Sequence, residues 1–207
     1  MSQVGSKEDE LYFFAISILS EWFKEGSGLR KTPLKNYTGG DHNSIGFEGI
    51  TRLIINKAIE IYNLTDRVKI NQTYIEDHTG TYDRQRMDQH IYIDNKLALV
   101  EEDRAFIDKP FYTMKRGVVK TFMELPHTKN ILAEEPIFIF LSLGRVLNDC
   151  QRATAELIFG HGEVIREANL CGWGGRSKKE NYFDRGPAED EVRKYILALC
   201  EVFEKYD

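Results

Sequence analysis

Short apolar runs of strand length alternate with helical patterns along this chain. Apolar residues recur on one helical face over residues 8–24 and again over residues 46–62. By contrast, residues 97–100 (LALV) and 136–143 (PIFIFLSL) are apolar runs no longer than single strands. A further helical pattern covers residues 188–206. Because helices and strands follow one another in this way, we expect an α/β fold with a mixed central β-sheet flanked by helices.

The other boundaries rest on turn residues and weaker patterns. Gly26 and Gly28 are expected to end the first helix. Residues 160–187 are rich in glycine and are expected to be largely loop. No linker-like stretch divides the chain, so its 207 residues are predicted to form one domain. The remaining predicted elements are a strand over residues 68–75 and helices over residues 108–124 and 145–159.

Charge and cysteine content limit the classes of protein to consider. The formal net charge of −5 argues against DNA binding through an evenly basic surface, but it allows a basic cleft on an acidic body. Cys150, Cys171 and Cys200 are widely spaced, form no zinc-type pair and indicate reduced thiols in a cytoplasmic protein. No apolar run approaches the roughly 20 residues of a membrane span, so no membrane partner is expected.

A tight hairpin is predicted in the middle of the chain. Residues 90–93 (HIYI) form a short strand, and Asp94 and Asn95 provide the turn that follows it. The apolar residues 97–100 then form the second strand, which leads directly into Glu101. A strand that ends in a run of carboxylates is unusual, and this end of the hairpin is therefore the candidate site.

Three carboxylates are expected to converge at the open end of this hairpin. Glu101 and Asp103 are two residues apart, so an extended chain directs both side chains to the same side. Asp88 comes just before the partner strand and is therefore expected near both. Carboxylates this close repel one another unless a cation neutralises them. Oxygen ligands without a histidine or cysteine cluster favour Mg²⁺, which can polarise a phosphate and lower the pKa of an attacking water.

This arrangement resembles the PD-(D/E)XK nuclease core and, within that superfamily, the type II restriction endonucleases. The resemblance covers roughly residues 83–120 and is carried by Asp88, the hairpin and the run LALV-Glu101-Glu102-Asp103. In the family an acid precedes one strand, and a hydrophobic strand then ends in an acid, any residue and usually a lysine.

The chain departs from this family pattern at two positions. Met87 stands where a proline often precedes the first acid. Asp103 stands where lysine is usual, so the sequence is similar to the E-x-acid variant of the motif. A shifted alignment would instead take Glu102 and Arg104 as the pair. We prefer Glu101 and Asp103, because four apolar residues lead straight to the first of them.

The resemblance implies a restriction-endonuclease-like fold and a homodimer that cuts double-stranded DNA at a short palindromic site with Mg²⁺ as cofactor. A partner methyltransferase that protects host DNA follows from the same resemblance. Asp88, Glu101 and Asp103 would be the catalytic residues, with Asp103 binding a second metal ion or orienting the water. The implied Mg²⁺ ligands are Asp88, Glu101, Glu102 through its backbone carbonyl, and Glu48 from an N-terminal helix.

Basic residues around the predicted site are candidates for DNA binding. Lysine and arginine side chains hold phosphate backbones. Residues 172–185 also mix glycine, aromatic, basic and amide side chains, which suits base recognition but is equally typical of an exposed turn. The candidates are Arg84, Arg86, Lys115, Arg116, Arg176, Lys178, Lys179 and Arg185.

Other interpretations stay open. A structure-specific repair nuclease of the same superfamily would use the same acids. A non-catalytic nucleic-acid-binding protein would carry residues 101–103 as plain surface charge, because acidic runs are usually solvated. A small-molecule hydrolase has less support, since the sequence has no nucleophile elbow, P-loop or HExxH motif. His90 is expected to be a packed or surface residue rather than a general base.

Overall fold

A five-stranded mixed sheet forms the centre of the fold in the computed structural model, which describes residues 6–29, 46–71, 89–104, 132–143, 165–171 and 186–207. The strands follow their sequence order across the sheet, and the first three form an antiparallel meander. The fourth strand runs parallel to the third, and the fifth runs parallel to the fourth. The strands are β1 (Val68–Asn71), β2 (Gln89–Ile93), β3 (Lys96–Arg104), β4 (Leu132–Ser142) and β5 (Ile165–Asn169).

Three described helices cover one face of this sheet. They are α1 (Lys7–Leu29), α2 (Gly46–Ile61) and α3 (Glu189–Phe203), and a 3₁₀ turn, Glu204–Tyr206, follows the last of them. The helix α1 packs against both α2 and α3, while α2 contacts β3 and α3 contacts β4 and β5. Apolar side chains at helical spacing form one core with the strands, because each helix buries a single stripe. This core includes Leu11, Ala15, Leu19, Ile54, Ala58, Ile196, Leu199, Ile91, Leu99 and Ile139.

The predicted hairpin is confirmed. Asp94 and Asn95 link β2 to β3 with φ of 51° and 64°, the left-handed values that a type I′ turn requires at both central residues. Arg67 holds this turn, because its Nε and Nη2 donate to the two carboxylate oxygens of Asp94 at 3.0 and 2.6 Å. The Arg67 guanidinium also holds the pKa of Asp94 below its usual range.

One predicted helix boundary is wrong, and one strand was not predicted. The helix α1 continues through Gly26 and Gly28 to Leu29; a glycine costs only about 1 kcal/mol in a helix and does not by itself end one. The strand β5 lies in the stretch predicted to be loop. Its sequence, IREAN, carries almost no apolar alternation, so the strand forms through pairing with β4 and packing against α3. The predicted helices over residues 108–124 and 145–159 lie outside the described residues.

The mixed sheet flanked by helices is confirmed at this coarse level. Cys171 and Cys200 are buried thiols, and Cys150 lies outside the described residues. None of the helices described here combines the length and the apolar character needed to cross a membrane.

Candidate functional site

Glu101 and Asp103 lie on the same face of the central strand β3, as the two-residue spacing predicted. Both are buried, with relative exposures of 0% and 6%. Neighbouring strands β2 and β4 flank β3, and Glu101 and Asp103 pair with Ile139 and Leu141 of β4. Their face is the one that α2 and α3 cover, because Leu99, the next residue on that side, belongs to the helix-packed core. The sheet therefore places two carboxylates inside the protein, where water screens them poorly.

Helix α2 supplies a direct partner to the second carboxylate. The Oγ1 atom of Thr51 lies 2.7 Å from Oδ2 of Asp103 and 3.1 Å from the backbone carbonyl oxygen of Glu48. A hydroxyl has one proton, so it donates to one of these oxygens at a time, and the shorter distance favours Asp103. Thr51 is fully buried. The backbone carbonyl of Glu48, the candidate acid in the first turn of α2, therefore lies next to Thr51, which contacts Asp103.

A second set of hydrogen bonds fixes the start of β2 against the same helix. Gln89 is fully buried and pairs with Glu101 across the β2–β3 ladder. Its Nε2 donates to the Glu48 carbonyl at 3.1 Å. Its Oε1 accepts from Nε and Nη2 of Arg52 at 3.0 and 2.6 Å. Asp88 directly precedes Gln89 in the sequence but lies outside the described residues.

Burial dominates the electrostatics of Glu101. Within the part of the chain that the structure describes, neither of its carboxylate oxygens has a hydrogen-bond partner of ordinary geometry. Burial raises the pKa of Glu101 to about 8, against smaller lowering effects from Tyr195, Thr51, Asp103 and Arg52. A carboxylate in this position is stable only with a proton or a cation beside it.

The hydroxyl of Tyr195 reaches the same place from helix α3. Tyr195 is 1% exposed. Burial, followed by the negative charges of Glu101 and Asp103, raises its pKa well above the usual range. A neutral phenol is therefore the form beside the carboxylates at physiological pH. Its hydroxyl has no hydrogen bond of ordinary geometry to any described residue, although it influences the pKa of Glu101.

The two carboxylates have the donor chemistry that a hard divalent cation prefers. Glu101 and Asp103 are buried and lie two positions apart on one face of the central strand β3, and both offer oxygen ligands. The residues described here include no group of three histidine, cysteine, aspartate or glutamate side chains that could hold a metal ion. The third predicted ligand, Asp88, is outside that set. Two of the three carboxylates are thus placed together, and the position of the third stays a prediction.

Several predicted site residues lie outside the described part of the chain. Besides Asp88, this applies to every DNA-binding candidate. For Glu102 the structure gives the backbone, which pairs with Phe140 of β4. The undescribed DNA-binding candidates are Arg84, Arg86, Lys115, Arg116, Arg176, Lys178, Lys179 and Arg185.

His90 has the character of a packed residue. It alternates with Gln89 along β2 and so lies on the opposite face of the sheet from Glu101. It is 1% exposed, and burial lowers its pKa to about 4, so it is neutral near pH 7. Neither ring nitrogen has a hydrogen-bond partner among the residues that can be described.

The sequence analysis missed four residues of the site, Thr51, Arg52, Gln89 and Tyr195. Thr51 and Arg52 belong to a helical pattern, in which polar residues usually face solvent. One signal was present, because a threonine followed by a basic residue interrupts the apolar stripe next to Ile50 and Ile54. Comparisons of the chain with protein-family models, curated proteins and solved structures find no match. The function of the site therefore has to follow from its own residues.

Proposed function

We propose that this protein is a Mg²⁺-dependent type II restriction endonuclease of the PD-(D/E)XK superfamily, with a restriction-endonuclease-like fold. The observation that carries the proposal is the buried pair Glu101 and Asp103 on one face of the central strand. Glu101 lies opposite Gln89, the residue that follows Asp88. An acid before one hairpin strand and an acid pair at the end of the other is the arrangement expected of the E-x-acid variant of the motif.

The electrostatics of the pair supports a cation as its natural partner. Two adjacent buried carboxylates repel each other, and burial is the main cause that raises the pKa of Glu101 to about 8. Such groups are unfavourable in a purely structural role, because well-packed apolar residues would serve packing better. A divalent ion bound there would polarise a phosphoryl oxygen and lower the pKa of a bound water.

The residues of the chain would divide the work as follows. Asp88 and Glu101 would hold Mg²⁺, with the Glu102 carbonyl and Glu48 as further ligands, and Asp103 would orient the attacking water or hold a second ion. The water oxygen bonds to phosphorus, the bond from phosphorus to the leaving sugar oxygen breaks, and the water's proton is balanced by protonation of that oxygen. Basic side chains from the DNA-binding candidates would hold the backbone.

Partner and location complete the proposal. The substrate would be double-stranded DNA with a short palindromic site, and two-fold symmetry of that site would match a homodimer. A reduced cytoplasmic setting suits three cysteines without a disulfide framework.

The direct test is cleavage of unmethylated phage DNA with and without Mg²⁺, analysed on a gel. We expect discrete Mg²⁺-dependent fragments, and their loss in Asp88→Asn and Glu101→Gln. Glu134→Gln, which alters an exposed carboxylate of β4, is the matched control and should cut normally. A smear would favour the structure-specific repair nuclease. Intact DNA in every condition, including with Asp103→Lys, would reject a nuclease.

A competing hypothesis is a non-catalytic nucleic-acid-binding protein. The expectation that its acids are plain surface charge is wrong for Glu101 and Asp103, because both are buried; Glu101 would instead be held neutral inside the fold. That protein would bind DNA equally well with and without Mg²⁺, and its thermal stability would not respond to the ion. Gel-shift assays in EDTA, Mg²⁺ and Ca²⁺ separate the two hypotheses, because the proposed enzyme should gain DNA affinity from either ion.

A further inference from the structure

Two hydroxyl groups meet the two carboxylates, and each comes from a different helix. Thr51 of α2 donates to Asp103 at 2.7 Å. Tyr195 of α3 influences the pKa of Glu101, and the charges of Glu101 and Asp103 in turn raise the pKa of Tyr195. Both side chains are buried, at 0% and 1% exposure. Each carboxylate of the pair thus has one hydroxyl beside it.

Packing alone does not account for these hydroxyls. Burial of a hydroxyl without a good hydrogen bond costs about 1–3 kcal/mol. Among the described residues the Tyr195 hydroxyl has no hydrogen bond of ordinary geometry, so phenylalanine would fill the same space at lower cost. Thr51 lies inside a helix, where a β-branched residue is less favourable than an unbranched one. Thr51 therefore costs helix stability that its hydrogen bond to Asp103 has to offset.

We propose that Thr51 is a positioning residue that fixes the orientation of the Asp103 carboxylate for a divalent cation. This inference rests on the proposed function. A carboxylate rotates freely unless an outer partner occupies one of its oxygens, and such partners set both the orientation and the charge of a metal ligand. Thr51 occupies Oδ2 of Asp103.

The helices that carry these hydroxyls are rigid supports. Thr51 sits one turn from the buried pair Ile54 and Ile55, and Tyr195 is followed by the buried Ile196. Because the two helices also contact each other, a shift of either would move one hydroxyl relative to the other. Sites built on packed elements hold their geometry better than sites on loops.

The test uses the full chain and substitutions that remove a hydroxyl with little change of shape. Mg²⁺ and Mn²⁺ affinities are measured by isothermal titration calorimetry for the wild type, Thr51→Val and Tyr195→Phe. Tyr62→Phe is the matched control, because Tyr62 is equally buried and its hydroxyl bonds to Glu204 Oε1 at 3.3 Å, away from the carboxylate pair. Urea unfolding without metal is recorded for every variant.

We expect Thr51→Val to weaken Mg²⁺ binding by about tenfold or more, as loss of an outer partner typically does, and to weaken it more than Tyr195→Phe does. Tyr62→Phe should bind as the wild type does, and Thr51→Ser, which keeps the hydroxyl, should restore most of the affinity. Equal metal affinity in the wild type and Thr51→Val would overturn the inference, whatever happens to the stability of the variant. A wild type that binds neither ion would instead reject the proposed function on which the inference rests.

Discussion

Gln89 lies directly opposite Glu101 in the β2–β3 ladder, and its buried amide is held by Arg52 and by the Glu48 carbonyl. The start of β2 is thereby tied to helix α2 at the level of the candidate site. Asp88 is the next residue back along the chain. A side chain that fixes Gln89 therefore also limits where Asp88 can be, which gives this polar contact a role beyond local stability.

The Arg52–Gln89 contact should be measurable as a coupling energy. Gln89→Met removes the acceptor while keeping the length of the side chain, and it leaves the half-buried guanidinium of Arg52 without this acceptor. We expect a loss of about 1–3 kcal/mol in the free energy of unfolding. In a double-mutant cycle with Arg52→Met, urea unfolding should give a coupling of about 1 kcal/mol. Strictly additive effects would show that the contact does not bear on stability.

The sequence predicted those parts of the site that depend on neighbouring residues. The two-residue spacing of Glu101 and Asp103 put both on one face of a strand, and the Asp94–Asn95 turn returned the chain beside it. These features follow from the period of a strand and from the φ preferences of two turn residues. Both are local properties, so a single sequence carries them.

The parts that were missed depend on residues far apart in the chain. Thr51 is 52 positions from Asp103, and Tyr195 follows Glu101 by almost half the chain. No local pattern states which polar residue of a helix will turn inward, because the choice depends on how the helix packs on the sheet. The strand β5 was missed for a similar reason, since IREAN becomes a strand through its neighbour β4.

The left-handed backbone at Asn95, in the turn between β2 and β3, can be tested by substitution. Asn95 has a φ of 64°, which glycine adopts without strain. Asn95→Gly and Asn95→Ala both remove the hydrogen bond from Lys69 Nζ to Asn95 Oδ1, so their difference isolates the backbone term. Thermal unfolding should place the glycine variant above the alanine variant by roughly 1 kcal/mol. Equal stability of the two variants would mean that the left-handed φ is not maintained in solution.

Burial of His90 should make the fold sensitive to acid. Burial lowers the pKa of His90 to about 4 from the ordinary histidine value of 6.5. As the pH falls below 6.5 the unfolded chain binds a proton that the folded protein does not accept, so stability is lost until about pH 4. His90→Phe should remove this component. Urea unfolding at pH 7 and pH 5 should show a smaller loss for the variant, and an identical loss in both proteins would contradict neutral burial.

Glu101 should give the opposite dependence on pH in the metal-free protein. The fold raises the pKa of Glu101 to about 8 from the ordinary glutamate value of 4.5, and burial is the main cause. Between these values the unfolded chain releases a proton that the folded protein keeps. The contribution of Glu101 to stability therefore falls as the pH rises from 4.5 to 8, by up to about 1.4 kcal/mol per pH unit. Tyr195, Thr51, Asp103 and Arg52 act against burial, and each lowers the pKa of this carboxyl group.

Glu101→Gln removes the titrating group and keeps the size of the side chain, so its metal-free stability should vary less with pH than that of the wild type. Unfolding free energies in EDTA at pH 5.5 and pH 8 measure the difference, and Glu134→Gln controls for the loss of an exposed carboxylate. At pH 8 without metal, the wild type should be less stable than Glu101→Gln. Added Mg²⁺ should stabilise the wild type more than the variant, because a cation that binds only the folded state adds its binding free energy to the stability of the fold. A Glu101→Gln protein with the full wild-type pH dependence would show that the buried carboxylate is already ionised in solution.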